Sequence, residues 1–187
     1  MLLSHRLARM ADLEALHALM ARAIDNLQTD FLSEEQVLAS RQVMGLDTQL
    51  VKDQTYLLIE ADDRIVGCGG WSWRATLFGG DDSIVAREPL PLDPATDAAR
   101  IRAMYTDPDY ARRGIGSRIL QLCEQAAFQA GFRRVEMMAT LAGAPLYRTC
   151  GYAAVENVEA ATASGVVVPL IRMGKTLAAS PRGDLGK

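Results

Sequence analysis

The run from Tyr105 to Leu120, YTDPDYARRGIGSRIL, has the composition of an anion cradle. It reads as the end of an apolar strand, a turn at Asp107-Pro108, a basic glycine-rich loop and the start of a helix. At a helix N-terminus the first N–H groups have no partner within the helix, and the dipole adds partial positive charge there. An anion satisfies both. Gly114 and Gly116 remove the Cβ atoms that would hold a phosphate off the backbone, and Arg112 and Arg113 add charge beside it. The chemistry implied is a diphosphate gripped by the main chain of Arg112, Arg113, Gly114, Ile115, Gly116 and Ser117.

Three such cradles differ in their spacing. A Walker A loop needs Gly-Lys-Ser/Thr after four spacer residues, and the chain has no such run. A dinucleotide fingerprint needs a third glycine where Ile119 stands. The segment Ala111-Arg-Arg-Gly114-Ile-Gly116 resembles the coenzyme A loop of the GNAT superfamily of N-acetyltransferases, Gln/Arg-x-x-Gly-x-Gly/Ala, with Ala111 in place of Gln or Arg. A plain strand-to-helix turn would also account for the glycines. A second block adds weight. Thr140 to Tyr152, TLAGAPLYRTCGY, resembles the superfamily's short helix with an aromatic pair, followed by Gly-Phe/Tyr opening a strand. The Asn that the family often carries before this helix has no counterpart between Thr140 and Gly143.

The resemblance implies an α/β fold: a GNAT-like mixed, centrally splayed β-sheet with helices on both faces. It is expected to form one domain over residues 1–177, with a frayed tail at 178–187. It further implies acetyl-CoA as cosubstrate, no metal, and an acetyl group passed to a small-molecule or peptide amine by direct attack in a ternary complex. Pantetheine would pair with the backbone of Met104, Tyr105 and Thr106 like an added strand. A backbone N–H near Met104 or Tyr105 would stabilise the oxyanion. Tyr147 matches the tyrosine that the family uses as an acid. A phenol of pKa about 10 keeps its proton at neutral pH and can give it to a departing thiolate. A core tyrosine packing the short helix is the competing role for Tyr147. The rival from another class is a non-catalytic CoA-binding sensor or regulatory module of the same fold, for which Ala111 and the missing Asn speak. A homodimer is compatible with either.

Other reactive side chains fit less well. Glu136 follows the cofactor helix, where some family members keep a carboxylate base, but an alternating strand also places a surface carboxylate there. Cys68, Cys123 and Cys150 are odd in number and suit a reducing cytoplasm. A nucleophilic cysteine needs a partner base, and the only histidines, His5 and His17, belong to the first strand and helix. No Cys/His/Asp spacing suggests a metal site. Trp71 and Trp73 share one strand face and either line an acceptor pocket or pack beneath a loop.

The elements that must position these groups follow from periodicity. A short strand at 2–9 leads to a helix starting at Asp12 with Leu13, Leu16, Met20, Ile24 and Leu27 on one stripe. Ser33-Glu-Glu-Gln36 fits a capping box for a second helix that stops near Gly45. Strands at 55–60 and 65–74 form a hairpin about Asp62-Asp63, and further strands are expected at 99–106, 135–139, 153–158 and 166–173. Helices are expected at 115–130, closed by Gly131, and at 144–150. Residues 75–98 carry five acidic residues against Arg87 alone. A loop this long is expected to be either a disordered insertion or a mobile acidic lid that favours a cationic acceptor. At 187 residues and 49% hydrophobic content the chain fits one core. A net charge of −3 argues against a nucleic-acid footprint, and no apolar run is long enough for a membrane span or signal peptide, so a cytoplasmic location is expected.

Overall fold

Among the described residues seven strands form one sheet: Leu3–Leu7 (β1), Tyr56–Ala61 (β2), Arg64–Ser72 (β3), Ala99–Thr106 (β4), Arg134–Thr140 (β5), Ala153–Ala161 (β6) and Val167–Thr176 (β7). The computed structural model describes residues 3–178; of the expected tail, all but Ala178 lies outside the described residues. The strand order is β1-β2-β3-β4-β5-β7-β6. Only β4 and β5 run parallel, and they pair at just two positions, Ala99 with Val135 and Arg100 with Glu136. Past Arg100 they part, because β5 stays with β7 as far as Thr140 while β4 stays with β3. This is the mixed, centrally splayed sheet that the resemblance implied. Along the parting, one edge of β4 is left without a neighbouring strand.

A bulge sharpens the split. The register between β3 and β4 slips between Cys68 and Gly70, so that Ala103 and Met104 together face Gly69. Ala103 adopts φ 51°, a left-handed conformation that costs an L-residue about 1–2 kcal/mol. The hydroxyl of Tyr56 donates to the Ala103 carbonyl at 2.8 Å and helps hold it.

Helices cover both faces. Leu13–Leu27 (α1), Glu34–Ser40 (α2) and Thr48–Lys52 (α3) pack on one side, and Ile115–Gln129 (α4) and Ala144–Thr149 (α5) on the other. The expected stripe of α1 is buried at Leu16, Met20 and Ile24. The capping box is present: Ser33 Oγ accepts the Gln36 N–H at 3.3 Å, and Gln36 Oε1 accepts the Ser33 N–H at 3.2 Å. That helix ends at Ser40, short of Gly45, and α3 has no counterpart among the expected helices. Asp47 caps α3 by accepting the Gln49 N–H at 3.0 Å. In α4 the buried stripe is Ile115, Ile119, Leu120, Cys123 and Ala127, with Leu122 and Ala126 half-buried beside it.

The close seat of α4 depends on small residues beneath it. A Cβ on Gly67 would collide with Ile115 Cγ2, and one on Gly69 with Ile119 Cγ2 as well as with Met104 Sδ of β4. Ile119 is fully buried in this contact. Ile119→Ala should therefore lower unfolding stability by about 2–5 kcal/mol, with a vacated volume that the rigid sheet cannot fill. A loss below about 1 kcal/mol in chemical denaturation would mean that α4 is not pinned at this point.

Residues 75–98 are neither a disordered insertion nor a free lid. The segment is a docked strap. Ala75 N–H donates to Leu90 O at 2.9 Å and Leu92 N–H to Trp73 O at 2.7 Å, closing its base like a hairpin. Its tip is bound to the connection between α2 and α3, with Asp81 N–H on Leu46 O at 2.8 Å and Ile84 N–H on Gln42 O at 3.1 Å. Gly80 lies so close to Gly45 that a Cβ there would approach the Gly45 carbonyl carbon to 2.8 Å.

Candidate active site

A cleft of about 90 Å³ opens where β4 and β5 part. Its walls come from Ile101 to Tyr105 of β4, Met137, Met138 and Thr140 of β5, Tyr147 of α5, the α2–α3 connection at Val43 to Gly45, and the strap at Leu77 to Gly79. Met104, Tyr105 and Tyr147, singled out in the sequence, thus meet in one place. Tyr147 is there because α5 starts abruptly. Thr140 Oγ1 accepts the Gly143 N–H at 3.1 Å, and Pro145 opens the helix. The tyrosine ring then passes over Gly143, where a Cβ would come within 2.8 Å of it. Burial pushes the Tyr147 phenol above its ordinary range. The Tyr105 side chain is structural, since its hydroxyl accepts the Gly45 N–H at 3.0 Å and ties the α2–α3 connection to β4.

The cradle follows the C-terminal end of the same strand. Arg112 at φ 60° and Gly114 at φ 80° turn the chain into α4, and no side chain caps the helix. The first helical bond is that of the Arg118 N–H to Gly114 O at 3.0 Å. The N–H groups of Ile115, Gly116 and Ser117 bond to no backbone carbonyl among the described residues. The two glycines differ in purpose. A Cβ on Gly114 would meet nothing within 4 Å, which is the open side a ligand can approach. A Cβ on Gly116 would lie 2.6 Å from Leu146 Cδ2, so that glycine also permits α4 and α5 to touch. Thr106 sits beside it, its Oγ1 3.9 Å from the same point. The Ile115 side chain is buried, which leaves only its backbone to face a ligand, whereas Arg112, Arg113 and Ser117 are exposed.

The sequence model of the acetyltransferase (GNAT) family matches residues 19–152, well over half the chain. The chain belongs to the GNAT acetyltransferase family. No curated protein matches it. Among solved structures, a GCN5-related N-acetyltransferase from Rhodopseudomonas palustris shares 20% identity at a TM-score of 0.69, covering 95% of this chain and 99% of that one. The PaiA N-acetyltransferase from Thermoplasma acidophilum, solved in complex with coenzyme A, shares 16% at 0.62, covering 95% and 100%. A ribosomal-protein-alanine N-acetyltransferase from Brucella melitensis shares 17% at 0.62, covering 93% and 99%. At these identities the likeness shows the fold.

Within this GNAT domain several side chains take parts that the sequence did not signal. Asp107 is buried at the end of β4, where its Oδ1 accepts from Arg22 Nη2 at 3.0 Å and from the Asp109 N–H at 3.0 Å. Arg64 Nη2 lies 3.5 Å from its other oxygen. Arg22 comes from α1, 85 positions away, and such a pairing leaves no local trace in sequence. The clamp fixes the turn that feeds the cradle. Asp107→Asn keeps the shape but removes the charge, so the KM for acetyl-CoA should rise about fivefold with kcat little changed. A fall in kcat at unchanged KM would show that Asp107 acts elsewhere.

Glu136 is occupied. Its Oε2 lies 2.7 Å from Arg100 Nη1 and 2.8 Å from Arg172 Nη2, it does not line the cleft, and it locks the last shared rung of β4 and β5. It is not placed as a base. Trp71 stacks edge-on against Trp73 at 5.7 Å and Phe132 at 6.2 Å in the α4-side core, which decides for packing. Tyr152, whose ring centroid is 6.1 Å from that of Tyr147, is buried with Glu124 near its hydroxyl and the Lys175 ammonium over its ring. It is structural. Burial pushes the Cys68 thiol up to about 12 and raises Cys123 too, while His5 and His17 are exposed on β1 and α1. Among the described residues, no helix is long and apolar enough to cross a membrane.

The strap contributes one more group. Arg102, buried on β4, forms an ion pair with the fully buried Asp47 at 2.5 Å and donates from Nη2 to Gly79 O at 2.6 Å. The carboxylate contact is short but off the line of a good hydrogen bond, so charge rather than directionality holds it. Desolvation lowers the Arg102 pKa and Asp47 opposes that shift. Arg87 of the strap binds the other Asp47 oxygen at 3.0 Å and Asp81 at 2.9 Å.

Proposed function

We propose that the protein is an acetyl-CoA-dependent N-acetyltransferase that passes the acetyl group directly to an amine bound in the same complex. The observation that carries this reading is a single track: Tyr147 and the open edge of β4 share one cleft, and that edge runs to Thr106 beside the unbonded N–H groups of α4. The coenzyme A bound to the PaiA relative supports the same use here.

Acetyl-CoA brings the activated thioester; the chain's part is to hold, orient and move protons. The N–H groups from Arg112 to Ser117, with the exposed guanidiniums of Arg112 and Arg113, suit its diphosphate. The backbone of Met104, Tyr105 and Thr106 offers the strand edge for pantetheine. The bulge at Ala103-Met104 re-aims main-chain groups out of the ladder, and an N–H so turned can stabilise an oxyanion, a contribution of about 3–4 kcal/mol in comparable sites. Tyr147 keeps its proton and can pass it to the leaving thiolate. Among the described residues no Asp or Glu lines the cleft, so the acceptor amine would lose its proton to water. Calorimetry with acetyl-CoA and a thiol-release assay against an amine panel test the proposal. Tight binding without thiol release on any amine would leave a CoA-binding module.

A further inference from the structure

The acidic strap suggested a cationic acceptor, but its carboxylates do not reach the cleft. Asp81 is engaged by Arg87 at 2.9 Å and by the Thr48 N–H at 3.1 Å; Asp93 caps its own turn through the Ala95 N–H at 2.9 Å. What the strap brings to the cleft is Leu77, Phe78 and the Gly79 carbonyl. On the α1–α3 side the walls are Met44, Phe78, Met138 and Leu170, all apolar. Among the described residues, Arg102 is the only ionised side chain in the lining. Two of its three nitrogens are engaged by Asp47 and Gly79, whereas its buried Nε–H has no acceptor among the described residues. Leaving a buried donor unmade is costly, and an oxygen supplied by a ligand removes that cost.

We infer that the acceptor is an α-amino compound with an apolar side chain, whose neighbouring carbonyl or carboxylate oxygen is received by Arg102 Nε. The inference rests on the acetyltransferase reading above. It assigns Arg102 and the strap residue Phe78 as determinants of acceptor choice, and it excludes polyamines and lysine side chains as preferred acceptors. A second ammonium placed in this cleft would find no carboxylate, and an unpaired buried charge is heavily penalised. The oxygen can belong to a free amino acid or to a peptide N-terminus, which share this chemistry.

The test uses the full chain at saturating acetyl-CoA and compares kcat/KM for leucine, leucinamide, a Leu-Ala dipeptide amide, isoamylamine and spermidine. At least one of the three leucine compounds should exceed both isoamylamine, which lacks the oxygen, and spermidine by about tenfold or more. Preference for free leucine assigns the carboxylate as the group recognised, and preference for the dipeptide assigns a peptide N-terminus. Arg102→Lys, which keeps a cation beside Asp47, should erase the advantage over isoamylamine while leaving the acetyl-CoA Kd unchanged. Phe78→Glu, on the strap, should shift preference toward spermidine by about tenfold, and reads the same wall if the Arg102 variant does not fold. Equal use of isoamylamine, a preference for spermidine, or transfer only to amines outside this set overturns the inference, whereas acetyl-CoA binding with no transfer to any amine strikes the acetyltransferase reading. Failure to bind acetyl-CoA at all would strike that reading too.

Discussion

Tyr147→Phe should lower kcat by about 10²–10⁴-fold while the Kd for acetyl-CoA stays nearly constant. The ring lies over Gly143 and lines the cleft, and phenylalanine keeps that packing, so only the proton is lost. Burial raises the phenol above its ordinary value of about 10. The sign of the pH dependence follows. With Tyr147 as the proposed acid, the protonated form is the competent one and persists through the neutral and mildly alkaline range, so the wild-type rate should climb with pH as the acceptor amine is deprotonated. No descending limb from Tyr147 is expected below about pH 10. Turnover within threefold of wild type in the phenylalanine variant would move the acid to another group. A descending limb near neutrality that vanishes in the variant would contradict the direction of the shift.

The other large effect belongs to the cradle. Gly114→Val should weaken acetyl-CoA binding by well over tenfold and leave kcat at saturation comparatively intact. At φ 80° a branched residue is strained by about 1–2 kcal/mol, and its side chain would enter the open space that the unbonded N–H groups face. Gly116→Val is the less selective variant, because a side chain there also drives into Leu146, the neighbour of Tyr147, and should disturb kcat as well as binding. Separation of the two glycines in this way, read by calorimetry and steady-state kinetics, distinguishes ligand clearance from helix packing. Unchanged affinity in Gly114→Val would take the diphosphate away from this loop.

The parts legible in sequence were those governed by neighbours along the chain. The glycine-rich turn into α4, the capping box at Ser33 and Gln36 and the tight turn at Asp62-Asp63, both with positive φ, each depend on a few adjacent residues. The meeting of Tyr147 with Met104 and Tyr105 was legible only through the family resemblance, since nothing in composition joins them. What escaped was long-range. The short α3 needed Asp47 as a cap, but that carboxylate also neutralises Arg102 and Arg87, contacts no periodicity encodes. The strap looked mobile because its prolines and acidic residues break every period, whereas its order comes from backbone bonds to Gln42 and Leu46. Glu136 has the sequence context of a base and the surroundings of a structural ion.

The bare stretch of β3 under α4 makes that strand a spacer as well as a floor. Because Gly67 leaves room for Ile115, and Gly69 for Ile119 and Met104, the height of α4 above the sheet is set from β3. A side chain at either position is expected to displace α4, and with it the cradle, relative to the bulge. Variation at β3 would therefore reach the cradle through α4 and the cleft through Met104, although neither glycine lines the cleft itself.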